Sequence, residues 1–153
     1  MTKNSQLLRQ ILQNDLTQYG WQQYAVSQMI NSGFGGGENY AYELTNMYDM
    51  LRIAGLSWME FQIGYHELEP TQVINDLVKK VNISKKDAKQ IANNIKDNPF
   101  YFTQQFIGGI EMERLMSDYK RNNGNSISMK EFHTKIHDEG SIPLSQLRKM
   151  VLN

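Results

Sequence analysis

The sequence predicts an all-α protein, a single-domain bundle or array of about seven helices spanning residues 1–153. Three observations carry this. Apolar residues recur at three- and four-residue spacing along most of the chain. No stretch alternates apolar and polar residues for more than four positions. Glycine, proline and asparagine clusters, together with well-placed serines, separate the periodic segments.

Leu7, Leu8, Ile11, Leu12 and Leu16 mark a first helix over 5–18, which continues through Trp21, Tyr24 and Met29 after a break near Gly20. Gly33-Phe34-Gly35-Gly36-Gly37 ends it, because glycines supply left-handed backbone and hold a helix poorly. The longest periodic stretch is 38–66, with Tyr40, Leu44, Met47, Tyr48, Leu51, Gly55, Trp58, Met59, Gln62 and Tyr65 on one stripe. Gly55 and Gly64 weaken it by about 1 kcal/mol each relative to alanine, so a close helix approach is expected there. Pro70 opens the next helix, with Glu69 or Thr71 as its cap and Val73, Ile74, Leu77, Val78 and Val81 on its apolar face. Ser84 is an N-cap with Asp87 three residues on, and Ala88, Ile91, Ala92 and Ile95 carry that helix to Asp97. Asn98-Pro99 is a boundary. An aromatic-rich helix then runs from Phe100 to Tyr119, ahead of an Asn122–Asn125 loop. Ser128 with Glu131 forms a capping box for a helix through His137, Gly140 stops it, and Pro143 begins a last helix with Leu144, Leu147 and Val151 facing inward.

Composition excludes several functions. The hydrophobic share of 40% supports a real core, so disorder is not expected. Sixteen basic and sixteen acidic side chains cancel, so no global field draws the chain to nucleic acid or an anionic membrane. The densest basic run, Lys79, Lys80, Lys85, Lys86 and Lys89, is broken by Asp76 and Asp87 and read as a solvated face. Without cysteine there is no disulfide, thiolate catalysis or cysteine-bound zinc. No run of about 18 apolar residues spans a membrane, and the polar start lacks the core of a signal peptide, so a cytoplasmic location is expected.

The segment from Met129 to Leu147 carries the most specific pattern: Phe132-His133, His137, Gly140, Pro143-Leu144 and Leu147, with Ile127 ahead of them. It resembles the ending of a bacterial family of zinc peptidase-like proteins catalogued as a domain of unknown function. The likeness extends upstream. Gly20-Trp21 with Tyr24-Ala25 resembles that family's glycine-tryptophan motif, Gly64-Tyr65-His66 its D-x-G-x-H motif, and Pro99 with Gly108 its proline-to-glycine segment, over residues 17–151 or so. The resemblance implies the C-terminal half of that helical scaffold.

The departures concern chemistry. No His-Glu pair is followed by a spaced second histidine; His66-Glu67 leads into Leu68-Glu69-Pro70. The glutamate expected before Gly20-Trp21 is Tyr19, and a phenol with a pKa near 10 is a poor zinc ligand. The expected aspartate two residues before Gly64 is Gln62, and the tyrosine expected after Pro99 falls on Gln105. A zinc hydrolase needs three ligands, an open position and a base together. The resemblance therefore implies the scaffold without the activity.

Other candidate sites have plain alternatives. His133 and His137, four apart on one helix face, can chelate a metal or simply pack. Phe100-Tyr101-Phe102 with Phe106, and Tyr40, Tyr42, Tyr48 with Trp58, can line a peptide groove or fill the core. The expected function is a non-catalytic protein- or peptide-binding module, with a protein partner or a homodimer and with no metal or cofactor. Its binding candidates are Tyr19, Trp21, Trp58, Gln62, His66, Phe100, Tyr101 and Gln105. The alternative is an enzyme, or half of a split metallohydrolase completed by a partner chain, with His66, Glu67 and Tyr101 as catalytic candidates and Glu60 beside them.

Overall fold

The computed structural model describes residues 13–36, 40–66, 68–124 and 128–152. The described residues form seven α-helices and no strand: α1 Asp15–Asn31, α2 Tyr40–His66, α3 Pro70–Lys80, α4 Lys85–Asp97, α5 Tyr101–Asn123, α6 Met129–Glu139 and α7 Leu144–Leu152. The all-α expectation holds. The helix start expected at Leu7 to Leu12 lies outside the described residues.

Two compact units emerge, one from residues 1–26 and 107–153, the other from 27–106. The first unit buries Tyr24 of α1, Met112, Leu115 and Tyr119 of α5, Phe132 and Ile136 of α6, and Leu147 and Val151 of α7. These positions repeat at three and four residues, so each helix presents one stripe to a common centre. Asp118 adds a polar tie, pairing with Arg121 on its own helix and with Arg148 of α7.

Gly20 does not break α1. Helices α1 and α5 cross there with backbones in contact: a Cβ on Gly20 would lie 2.5 Å from the Gly108 carbonyl carbon and oxygen, and one on Gly108 would lie 2.4 Å from the Leu16 carbonyl oxygen. The propensity cost of a mid-helix glycine is offset by packing that no larger residue permits.

The second unit buries Leu56 and Met59 of α2, Val73 and Leu77 of α3, Ile83, and Ala88, Ile91 and Ile95 of α4. Ser84 caps α4 as expected, accepting the Asp87 N–H at 3.2 Å and donating its hydroxyl to the Asp87 carboxylate at 2.7 Å. The lysine run Lys79, Lys80, Lys85, Lys86 and Lys89 is exposed, as a solvated face requires. At α6, Ser128 accepts the Lys130 N–H at 3.2 Å, one position earlier than the expected box. Gly140 closes that helix in a left-handed conformation, donating its N–H to the carbonyls of Ile136 and His137.

For α2, core filling by its aromatic residues fails and the close approach at its glycines holds at one of two. Tyr40, Tyr42, Tyr48 and Trp58 do not fill the core; all four are exposed. Among the described residues nothing lies within 4 Å of a Cβ built on Gly64, whereas one on Gly55 would lie 3.0 Å from the Val81 side chain at the end of α3, the close approach expected there. The physical reason is that only the second half of α2 is apolar around most of its circumference, where periodicity alone does not choose the buried side, while no residue from Tyr40 to Gly55 is buried on any face. The core takes the face of Leu56, Met59 and Glu60 instead.

Candidate functional site

The first unit holds a cleft built on the start of α1. Asn14 caps that helix, its side-chain oxygen accepting the Thr17 N–H at 3.1 Å. The Asn14 N–H donates to the Ser141 carbonyl at 3.0 Å, and the Ser141 hydroxyl donates back to the Asn14 carbonyl at 3.0 Å. Thr17 donates its hydroxyl to the Ile142 carbonyl at 2.6 Å. These bonds tie the α6–α7 link to α1 and leave a cavity of about 190 Å³ beside Trp21, lined by Thr17, Gln18, Gln22, Ile136 and His137.

Trp21 is the centre of an aromatic cluster. The rings of His133 and His137 meet it edge-on, at 5.4 Å and 4.9 Å between centroids. Tyr24, fully buried one turn on, places its hydroxyl 3.2 Å from His133 Nε2. Burial pushes the Tyr24 phenol well above its usual value, and the Glu113 carboxylate pushes the same way. Burial lowers the His133 imidazole, with His137 adding repulsion. Both groups are therefore held neutral near pH 7, which suits a hydrogen bond between them. The two histidines expected as a possible chelate both meet the indole, and among the described residues no three His, Asp or Glu side chains gather to hold a metal. The cleft offers an indole, an imidazole and two amides, which can hold a small planar or apolar group.

In the second unit, the buried Glu60 carboxylate accepts the backbone N–H groups of Phe102 at 3.0 Å and Thr103 at 2.7 Å, and the Thr103 hydroxyl at 2.8 Å. Ser57 donates its hydroxyl to Thr103 Oγ1 at 3.1 Å. A carboxylate thus closes the N-terminus of α5, where backbone donors and the helix dipole favour negative charge. Phe100, just ahead, has a positive φ of 69°, a conformation the clasp holds in place. With its oxygens engaged by these donors, Glu60 serves as a helix clasp.

The other notable surface is α2 itself. Leu44, Met47, Leu51, Trp58, Phe61 and Tyr65 are exposed, from 41% at Trp58 to 72% at Leu51. Phe61 and Tyr65 stack their rings at 5.5 Å, and Lys80 places its ammonium 4.8 Å from the Trp58 ring centre.

The residues singled out in the sequence fall in both units. Tyr19 and Trp21 belong to the first, both half-buried on α1; Trp58, Gln62, His66, Phe100, Tyr101 and Gln105 belong to the second. His66 is exposed at the end of α2, its ring edge-on to Tyr65 at 4.8 Å. Gln62, Tyr101 and Gln105 are half-buried, Phe100 is exposed, and Tyr101 meets the Phe102 ring at 5.1 Å. Glu67 lies outside the described residues. Sequence reasoning missed Tyr24 as the partner of His133 and the exposure of Leu44, Met47, Leu51 and Phe61. Glu60 had a usable signal: a carboxylate between Leu56, Met59 and Ile63 on a core-facing stripe must find buried donors.

A family model described as bacterial protein of unknown function, DUF885, matches residues 2–151. The chain belongs to that family. The match runs through both units, including the Gly20-Trp21 and Phe132-His133 segments on which the first unit is built. No curated protein matches the chain, and no solved structure does.

Proposed function

We propose that this member of the family is a non-catalytic protein- or peptide-binding module on a scaffold resembling that of zinc peptidases. The observation that carries this reading is the apolar face of α2, where six large apolar side chains from Leu44 to Tyr65 stand exposed. A contiguous apolar surface of that length costs free energy in water and marks an interaction site. The polar positions of the peptidase resemblance point the same way: Tyr19, Gln62 and Gln105 stand where a ligand or catalytic group would be needed, and none of them is a good zinc ligand.

The alternative places His66 in a catalytic site, alone or completed by a partner chain. Its surroundings lend no support, since the ring is exposed and meets the Tyr65 ring. One experiment separates the two readings. The chain is immobilised beside a Leu51→Arg variant and exposed to bacterial lysate, and the wild type is incubated with zinc and an unfolded protein substrate. The expected result is a stoichiometric protein ligand (a second copy included) retained by the wild type, lost from the variant, and no hydrolysis. Zinc-dependent hydrolysis abolished by His66→Ala would overturn the proposal.

A further inference from the structure

We infer that α2 pairs with α2 of a second copy of this chain, the two helices running antiparallel. This rests on the binding reading of the same face and names its occupant.

The spacing is the first argument. Tyr40, Leu44, Met47, Leu51, Ala54, Trp58, Phe61 and Tyr65 follow intervals of four and three without interruption along the 27 residues of α2. That is the repeat of a coiled-coil seam, which keeps one edge of a helix against another helix over its whole length. Seven of the eight are exposed large apolar or aromatic residues, and Ala54 is half-buried. The opposite face carries Leu56, Met59 and Glu60, already buried in the second unit.

Self-complementarity is the second argument. Reversing the helix about the point between Arg52 and Ile53 sets Leu51 opposite Ala54 of the other copy, Met47 opposite Trp58, Leu44 opposite Phe61 and Tyr40 opposite Tyr65. The small residue meets the leucine at the centre, and the flexible methionine meets the indole. On the flank, Tyr48 falls opposite Gly55. A parallel pair would instead set Ala54 on Ala54 and Trp58 on Trp58, a void beside a clash.

Charge and area complete the case. On α2 itself, along the seam and its flanks, Glu43 is the single charged residue, and reversal sets it opposite Gly64; beside the seam, the Lys80 ammonium of α3 stands over Trp58 and is paired with Asp76. A seam whose few charges are of both signs is not tuned to a strongly acidic or basic partner; it fits a surface like itself. Removing these side chains from water buries on the order of 800 Å² per copy, which is the size of a standard stable interface.

The test uses the full chain. Sedimentation equilibrium up to about 100 µM is expected to give a dimer for the wild type and a monomer of unchanged helicity for Leu51→Arg. The natural chain has no cysteine, so direction can be read by cross-linking. Mixing a Leu51→Cys chain with an Ala54→Cys chain under mild oxidation is expected to favour the mixed disulfide over the Leu51→Cys homodisulfide by about tenfold, because only antiparallel pairing brings those two positions within reach. A wild-type monomer, a dimer that survives Leu51→Arg, or a dominant Leu51→Cys homodisulfide overturns the inference. The broader reading fails separately. If the wild type is monomeric yet a stoichiometric partner is lost on Leu51→Arg, only the second copy is wrong; if it is monomeric and retains nothing, both are wrong.

Discussion

The two units solve the same packing problem to different extents. In the first, four helices each send a narrow stripe to one centre, and polar bonds from Asn14, Ser141 and Asp118 pin their ends. In the second, α3 and α4 present clean amphipathic faces, but α2 is apolar on two sides and buries one of them. The difference is what makes the second unit interesting. A helix whose apolar surface exceeds what its own unit can cover has surface left for something else.

The sharpest way to break the comparison is at the glycines, which play opposite roles in the two units. Gly108→Ala is expected to cost about 3 kcal/mol, since the added methyl meets the Leu16 carbonyl oxygen and the Gly20 backbone, neither of which can turn away. Gly64→Ala, with open space around it, is expected to stabilise by about 0.5–1 kcal/mol through helix propensity alone. Urea unfolding of both variants measures the difference. Equal effects of the same sign would mean that the α1–α5 crossing is not close.

Next in size is the clasp of the second unit. Glu60→Gln keeps the shape but swaps one acceptor oxygen for an amide donor facing backbone N–H groups and removes the charge from the start of α5. A loss of about 2 kcal/mol is expected, as for charged hydrogen bonds at partly buried sites. Unfolding followed by circular dichroism checks it. A loss below about 0.5 kcal/mol would show that the clasp adds nothing beyond solvation.

How much of this was legible beforehand divides along the same line. Helix positions came through because caps and breakers act locally: Ser84, Ser128, Gly140 and the Asn98-Pro99 step need only their own neighbours. The interior stripes of α3, α4 and α7 came through because each of those helices has polar residues on its remaining faces. The second half of α2 has too few polar residues to declare its outside, so Trp58 read as core filling or as the wall of a groove. Gly20 read as a break because a glycine announces low propensity, while the backbone contact that makes it necessary lies at Gly108, far along the chain. The site was least legible of all. His133 and His137 read as a possible chelate or as simple packing, and nothing local says that Trp21, more than a hundred residues earlier, stands against both rings.

That cluster also supplies the smallest predicted effect, and it belongs to the unit with the closed core. Burial holds His133 below the ordinary imidazole value of 6.5, so the unfolded chain takes up a proton before the folded one does as pH falls. Stability therefore keeps its full value above about pH 6.5 and declines as pH drops from there toward the lowered native value, because in that window the unfolded state binds more protons. Tyr24 stays protonated throughout, since its phenol is shifted upward. Thermal midpoints from pH 8 to 5 should show a shallow loss beginning near 6.5, and His133→Gln should flatten that part of the curve while leaving the steeper acid limb of the carboxylates in place. If the profile of His133→Gln superimposes on the wild type, the imidazole is solvated in the folded state, and the Tyr24–His133 contact does not exclude water.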